Sequence, residues 1–334
     1  MSDELERWAR SRVPDVVARA EEQAVAELAR ALVRAAAEPA PASSAPRPQT
    51  PPQRSPEPEP SEPASGLWAY CVSRADAELP TGAAAVHFEG GLERVVHDGL
   101  AVLVSPVPMS EFGRDALTRN LNELEWLEQV ARRHEGVLED ALSAATIVPL
   151  RLCTIFRDPD GVRRMLDEER PQLEAALERL AGREEWGVKL LAHPAALEGA
   201  ARARSTDADE LERKLEGSTE GEGYMLRRRL ERELREEAYR LGAELAEDVH
   251  ARIQDWADAA VLNSPQNRDL SRHEGEMLLN GAYLVASAKV GRLHEIVHQL
   301  ADRHRDLGVR IELTGPWPPY NFVSGRSAAE SAPA

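Results

Sequence analysis

The sequence predicts an α+β protein of two domains with antiparallel sheets, preceded by an N-terminal amphipathic helix on a proline-rich tether. Three observations carry this. Two apolar runs, "LERVVH" and "LAVLVSPV", meet at Asp98-Gly99, a two-residue hairpin signal that joins antiparallel neighbours. The second half reads as an interrupted β–α–β–α–β series with no Gly-rich phosphate loop. Residues 39–63 hold 10 prolines, which cannot pack into a fold and favour extended polyproline conformation. The 334 residues leave room for two domains. The expected boundaries are a helix over 1–38, a linker over 39–65, an α+β domain over 66–183, a second domain over 184–323 and a disordered tail over 324–334.

The elements follow in order. Leu5 and Trp8 begin an apolar face that resumes after Pro14 with Val17, Ala20, Ala24, Leu28 and Leu32, in helical steps. Pro14 fits the first turn of a second helical segment. This helix is expected either to dock a partner or to fold back on its own body. From Gly66, "LWAYCVSR" and "AAAVHFE" read as strands, followed by the hairpin about Asp98-Gly99. Residues 114–142 read as one helix with Leu121, Leu124, Leu127, Val130 and Leu138 on its apolar side. "ATIVPLRLCTIF" reads as a buried strand with Arg151 inside it. A buried guanidinium needs a carboxylate, and Glu125 or Glu128 is the nearest supply; the alternative is that Arg151 lies near the strand end and reaches water.

A helix closed by Gly182 comes next, then the strand "EWGVKLLA". Residues 195–262 read as mostly helix. From Glu222 to Ala260 an apolar stripe runs through Leu226, Leu230, Leu234, Leu241, Leu245, Val249, Ile253 and Trp256, long enough to need a coiled-coil-like helical neighbour or to project. "EGSTEGEG" before it reads as a flexible joint. The strand "GAYLVAS", a helix over 288–306 and the strand "GVRIELTGP" complete the series.

Composition narrows the function. The net charge of -17 repels nucleic-acid phosphates and anionic membrane surfaces, so neither is an expected partner. The run Arg227–Arg229 is flanked by acids and reads as a solvated helix face. Cys71 and Cys153 form no C-x-x-C pair and read as inert thiols in a reducing compartment. The charged start "MSDELERWAR" has no apolar leader core, and no apolar run reaches membrane-span length, so a cytoplasmic protein is expected.

One chemical motif stands out. His294-Glu295-Ile296-Val297-His298 has the H-E-x-x-H spacing that points two imidazoles at one zinc ion. His304 falls where the longer pattern has a third ligand. Ala301 replaces the glycine that would turn the chain, so in a continuing helix His304 points about 240° away from His298. No methionine follows the motif to make a Met-turn. A zinc hydrolase is therefore the minor alternative; no catalytic, metal or cofactor residue is assigned.

Three strings carry a resemblance. "NLNELEWLEQVARRHEGVLEDAL" followed by "TIVPLRLCTIF", then "EEWGVKLL", and finally "GPWPPYNFV" resemble, in order, the signatures of the gas vesicle GvpF/GvpL family. The resemblance covers residues 66–323. Leu152 and Cys153 stand where the family usually has Phe and Gly. The resemblance implies two α+β domains, the second (184–323) a modified ferredoxin-like domain with long inserted helices. It also implies a non-enzymatic role: an accessory or minor structural protein that binds the hydrophobic shell protein GvpA, and possibly other gas vesicle proteins, and helps vesicle assembly. A scaffold for several vesicle proteins is the alternative.

Overall fold

The computed structural model describes residues 64–82, 84–87, 90–263 and 275–324. The expected N-terminal helix, nearly all of the tether and nearly all of the tail lie outside the described residues. The chain divides into two compact units between Leu173 and Glu174.

In the first unit, strands β1 (Ser65–Arg74), β2 (Glu93–His97) and β3 (Leu100–Pro108) lie in the order β2-β3-β1, all antiparallel. Asp98 and Gly99 have φ of 43° and 80°, so both central residues of the turn are left-handed, as this hairpin type requires. His97 then pairs with Leu100. The segment "AAAVHFE" is not the expected strand across its described residues. Val86 N–H donates to the Tyr70 hydroxyl (3.0 Å) and its carbonyl accepts from Arg133 (2.9 Å), so side chains take the groups a neighbouring strand would have used.

The expected helix over 114–142 is two helices after a short α1 (Met109–Phe112): α2 (Arg114–Asn120) and α3 (Leu124–Ala144). Extended backbone at Glu123 (φ -94°, ψ 102°) separates them, and Leu124 is exposed rather than on the apolar side. From Leu127 onward α3 buries Val130, Ala131, His134, Val137, Leu138 and Ala141, one helical face at steps of three and four.

"ATIVPLRLCTIF" is also not one strand. It makes two short ones, β4 (Val148–Pro149) and β5 (Ile155–Phe156), both paired with β1. Between them the chain turns outward, with Thr154 N–H on the Arg151 carbonyl (3.2 Å) and Cys153 at φ 65°. Arg151 sits in this turn and is exposed, which overturns its expected burial against Glu125 or Glu128; Glu128 instead accepts from Arg132.

His134 ties α3 to the sheet. Trp68 Nε1–H donates to its Nδ1 (3.0 Å), so its Nε2 carries the proton and faces the Leu150 carbonyl (3.2 Å). The Tyr70 ring stacks on it at 5.4 Å, and the Tyr70 hydroxyl pairs with Ser105 (2.8 Å). One imidazole thus joins α3, β1 and the β4 end. The helix α4 (Pro159–Leu180) follows and contains the division between the units.

The second unit holds a four-stranded antiparallel sheet of β6 (Arg183–Ala192), β7 (Ala259–Leu262), β8 (Glu276–Ala286) and β9 (Val309–Trp317), in the order β7-β8-β6-β9. Three helices stand between β6 and β7: α5 (Pro194–Arg204), α6 (Thr206–Glu216) and α7 (Glu220–Gln254). The helix α8 (Val290–His304) stands between β8 and β9. The later half of α7 (Leu241, Leu245, Val249, Ile253) and α8 (Leu293, Ile296, Val297, Leu300) share one core with Val188, Leu190 and Tyr283 of the sheet.

The "EGSTEGEG" stretch is a defined helix start. Thr219 and Glu222 form a reciprocal capping box, with Thr219 N–H on the Glu222 carboxylate at 3.2 Å. At its other end α7 stops at Gln254, short of the expected Ala260. Asp258 N–H turns to the Leu284 carbonyl (2.8 Å), and the alanine-rich stretch that favours helix pairs with β8 instead. Trp256 therefore leaves the apolar stripe and is exposed. The sequence also offers Glu231–Arg235 and Glu236–Arg240 at the favourable i,i+4 spacing, but neither pair forms among the described residues; Arg240 reaches Glu237 (2.7 Å) and Glu233 (3.6 Å).

His134 makes a pH-dependent contribution to stability. Burial pushes its pKa from 6.5 down to about 4. The unfolded chain binds this proton near pH 6.5, whereas the fold resists it until about pH 4. The stabilisation is complete above pH 6.5 and is lost as pH falls through that window, amounting to about 3 kcal/mol. Urea midpoints measured from about pH 7.5 to about pH 4.5 should fall accordingly. His134→Gln keeps a donor and an acceptor but cannot titrate, so its curve should be flatter across the same range.

Candidate functional site

The H-E-x-x-H residues lie on α8, which continues through Ala301 to His304. Its buried side is Leu293, Ile296, Val297 and Leu300, so His294, Glu295 and His298 face outward. Each has a local partner. His294 meets the Trp186 ring edge-on at 5.1 Å, Glu295 accepts from Arg292 at 2.6 Å, and His298 lies 3.4 Å from Asp302. His304 is buried on a different side and pairs with Asp248 of α7 at 3.0 Å. The third histidine of the pattern is thus a strut between α7 and α8. Burial opposes the charge of Asp248, but hydrogen bonds from Arg252 and His304 outweigh it and hold the carboxyl below its usual range.

Among the described residues, one cluster has ligand-type atoms close together: His97, Asp98 and Asp167. His97 Nε2 lies 2.8 Å from Asp167. A cation already serves these acids. Arg170 donates to the Asp98 carbonyl (2.7 Å) and lies 3.5 Å from the Asp167 carboxylate. The cluster ties α4 to the β2–β3 turn, and a metal ion would meet the guanidinium.

Among the described residues, a concave surface feature lies between the end of α7 and α8. Arg252, Asp255 and Trp256 line one side; Arg292, Ile296, Gln299, Leu300 and Arg303 line the other, around a cleft of about 280 Å³. The α8 residues recur at steps of three and four, with buried Ile296 and Leu300 at the base of the cleft and exposed Arg292, Gln299 and Arg303 above them. The Arg292 guanidinium lies over the Trp256 ring at 5.3 Å, and Trp256 is 43% exposed. Tryptophan and arginine beside an aliphatic floor are the composition of protein-binding hot spots. Sequence reasoning missed this site because it placed Trp256 inside a helix; the unused signal was the polar "QDWAD" around it. Farther along α7, Tyr224, Met225 and Tyr239 are also exposed.

A family model described as gas vesicle synthesis protein GvpL/GvpF matches residues 66–324. The chain belongs to the GvpL/GvpF family. It is 36% identical over 260 residues to gas vesicle protein L of a Streptomyces species (strain CB03234), covering 77% of this chain and 92% of that one. It is 26% identical over 211 residues to gas vesicle protein L of Haloferax mediterranei, covering 60% and 62%. Crystal structures of GvpF share the fold. The Anabaena sp. PCC7120 protein has a TM-score of 0.56 at 20% identity, with 78% of this chain and 96% of that chain covered. The Microcystis aeruginosa protein has a TM-score of 0.54 at 18% identity, with 78% and 99% covered. The chain therefore has a gas-vesicle-related role.

The strings that carry the GvpL/GvpF resemblance have structural work in this fold. "ARRHEG" supplies His134. "EEWGVKLL" supplies Glu185, fully buried, which accepts from the Asn321 backbone N–H (3.1 Å) and side-chain amide (2.7 Å). "GPWPPYNFV" supplies Asn321, buried Trp317 and Phe322, and a cis Gly315–Pro316 bond; Arg179 donates to the Phe322 carbonyl (3.1 Å). Cys71 is buried, and burial pushes its thiol up to about 12, so it is unreactive.

Cys153 stands where the resemblance places a family glycine, and its φ of 65° is one that L side chains adopt at a cost. Cys153→Gly should relieve that cost while adding unfolded-state entropy, for a net gain of about 0.5–1 kcal/mol in denaturant unfolding.

Proposed function

We propose that this chain is a non-enzymatic accessory protein of gas vesicle assembly that holds the hydrophobic shell protein GvpA before it joins the vesicle wall. The observation that carries this is the GvpL/GvpF match, which spans nearly every described residue. The physical logic is coverage. A shell subunit that lines a gas space exposes apolar surface before assembly, and such surface aggregates. A partner with a net charge of -17 keeps a mixed complex dispersed. No described helix is long and apolar enough to cross a membrane; we place the chain in the cytoplasm, associated with gas vesicles.

We read the second unit as a ferredoxin-like domain enlarged by α5, α6 and α7, a reading supported by its strand order β7-β8-β6-β9. We place the folding domains at 66–183 and 184–323, with residues 1–38 as a docking arm on the 39–65 tether. A scaffold role for several vesicle proteins has its own support. The Trp256 cleft and the exposed Tyr224, Met225 and Tyr239 are separate surfaces on and beside one helix.

Coexpression tests the main reading. GvpA produced with this chain should stay in the soluble fraction and elute with it on gel filtration. Equal aggregation of GvpA with and without the chain would overturn the reading. His294→Ala with His298→Ala should leave both the melting temperature and this capture unchanged, because both side chains face solvent. Loss of capture together with stoichiometric zinc would instead revive the hydrolase alternative.

A further inference from the structure

We infer that the cleft between the end of α7 and α8 binds a segment of another protein in which carboxylates flank an aliphatic or aromatic side chain. The inference rests on the protein-binding role proposed above and names the chemistry of one partner surface. The base is apolar: Ile296 and Leu300 of the core close it from below, and half-exposed Trp256 forms a wall. A cleft of about 280 Å³ takes one or two side chains, not a folded domain. The rim is cationic, with Arg252, Arg292 and Arg303 around it and Asp255 as the one acid in the lining.

Each rim arginine already has an acidic neighbour. Arg252 pairs with Asp248 at 2.7 Å, Arg292 with Glu295 at 2.6 Å, and Arg303 with Asp248 at 3.8 Å. All three guanidinium side chains are 43–51% exposed, so Arg292 and Arg303 can exchange their surface pairs while Arg252 stays with Asp248 and adds its charge to the rim. An incoming carboxylate gains a planar two-pronged donor, and an apolar side chain beside it covers Trp256. A cationic rim on a chain of net charge -17 also favours one register, because the overall field opposes an acidic segment that lacks such a rim.

The test uses the full chain and a fluorescein-labelled peptide with Glu-Phe-Glu-Leu between Gly-Ser flanks. Its control has Lys in place of Glu. Fluorescence anisotropy should show the acidic peptide bound at least about tenfold more tightly than the control, with binding weakened by salt. Trp256→Ala and Arg303→Glu should each weaken it by about tenfold or more. Arg303 is half exposed, so Arg303→Glu should leave the melting temperature unchanged. Equal binding of both peptides, or variants that bind like the parent, would overturn the inference. So would a dimer that Arg303→Glu dissolves, which would assign the cleft to a second copy of this chain. GvpA capture reports separately: capture without acidic-peptide binding leaves the assembly role standing and removes the cleft's assignment, whereas peptide binding without capture does the reverse.

Discussion

A buried imidazole that stays neutral is the constraint on which the first unit depends. His134 accepts from Trp68, donates to the Leu150 carbonyl and stacks on Tyr70, so its position fixes α3, β1 and the end of β4 at once. Each partner is itself committed. Tyr70 holds Ser105 and Val86, and Trp68 meets Phe112 edge-on at 5.6 Å. In a region this dry, an unpaired polar group costs more than a paired one gains, so the network holds one arrangement. The interruption between β4 and β5 follows from it: the chain must offer the Leu150 carbonyl inward before it turns out at Arg151.

The second unit uses the same device with different groups. Glu185, buried in the sheet, captures Asn321 and so holds the segment after β9 to β6. His304 and Asp248 join α8 to α7, and His250 joins α7 to the Tyr283 hydroxyl at 2.9 Å. The apolar packing supplies the larger stabilisation, but it is adaptable; these polar contacts choose the register. That choice is what leaves Trp256 and Arg292 stacked at the surface rather than folded into the core.

Much of this was legible in the sequence where local chemistry decides the outcome. Asp98-Gly99 declared its hairpin, because only left-handed residues fit there. The apolar stripes of α7 and α8 declared their buried sides, and Ala301 correctly told against a bend toward His304. What was not legible depended on distant partners. The alanines of β7 carry a helical preference that pairing with β8 overrides. Arg151 lay in an apolar string whose one punctuation mark, Pro149, is the last residue of β4, and the turn after it was read through as strand. His134 gave no signal in sequence, since its partners are 66 residues before it and 16 after it. The cleft was invisible for the same reason: it exists only because α7 ends where the strand begins.

The helix α7 spans 35 residues, yet two separate cores hold it. Its later half lies on the sheet with the main core, while Leu230 and Leu234 of its earlier half share a small cluster with Ala208 and Leu211 of α6. A helix continuous in hydrogen bonding is therefore discontinuous in cooperativity. Opening of the α6–α7 tip would break only the small cluster and leave Leu241 to Ile253 seated. Amide exchange along this single helix should then show a step near Ala238, with fast exchange before it and slow exchange after. The exposed Tyr224 and Met225 sit on the part that opens, so a partner that binds there would read out as slowed exchange at the tip.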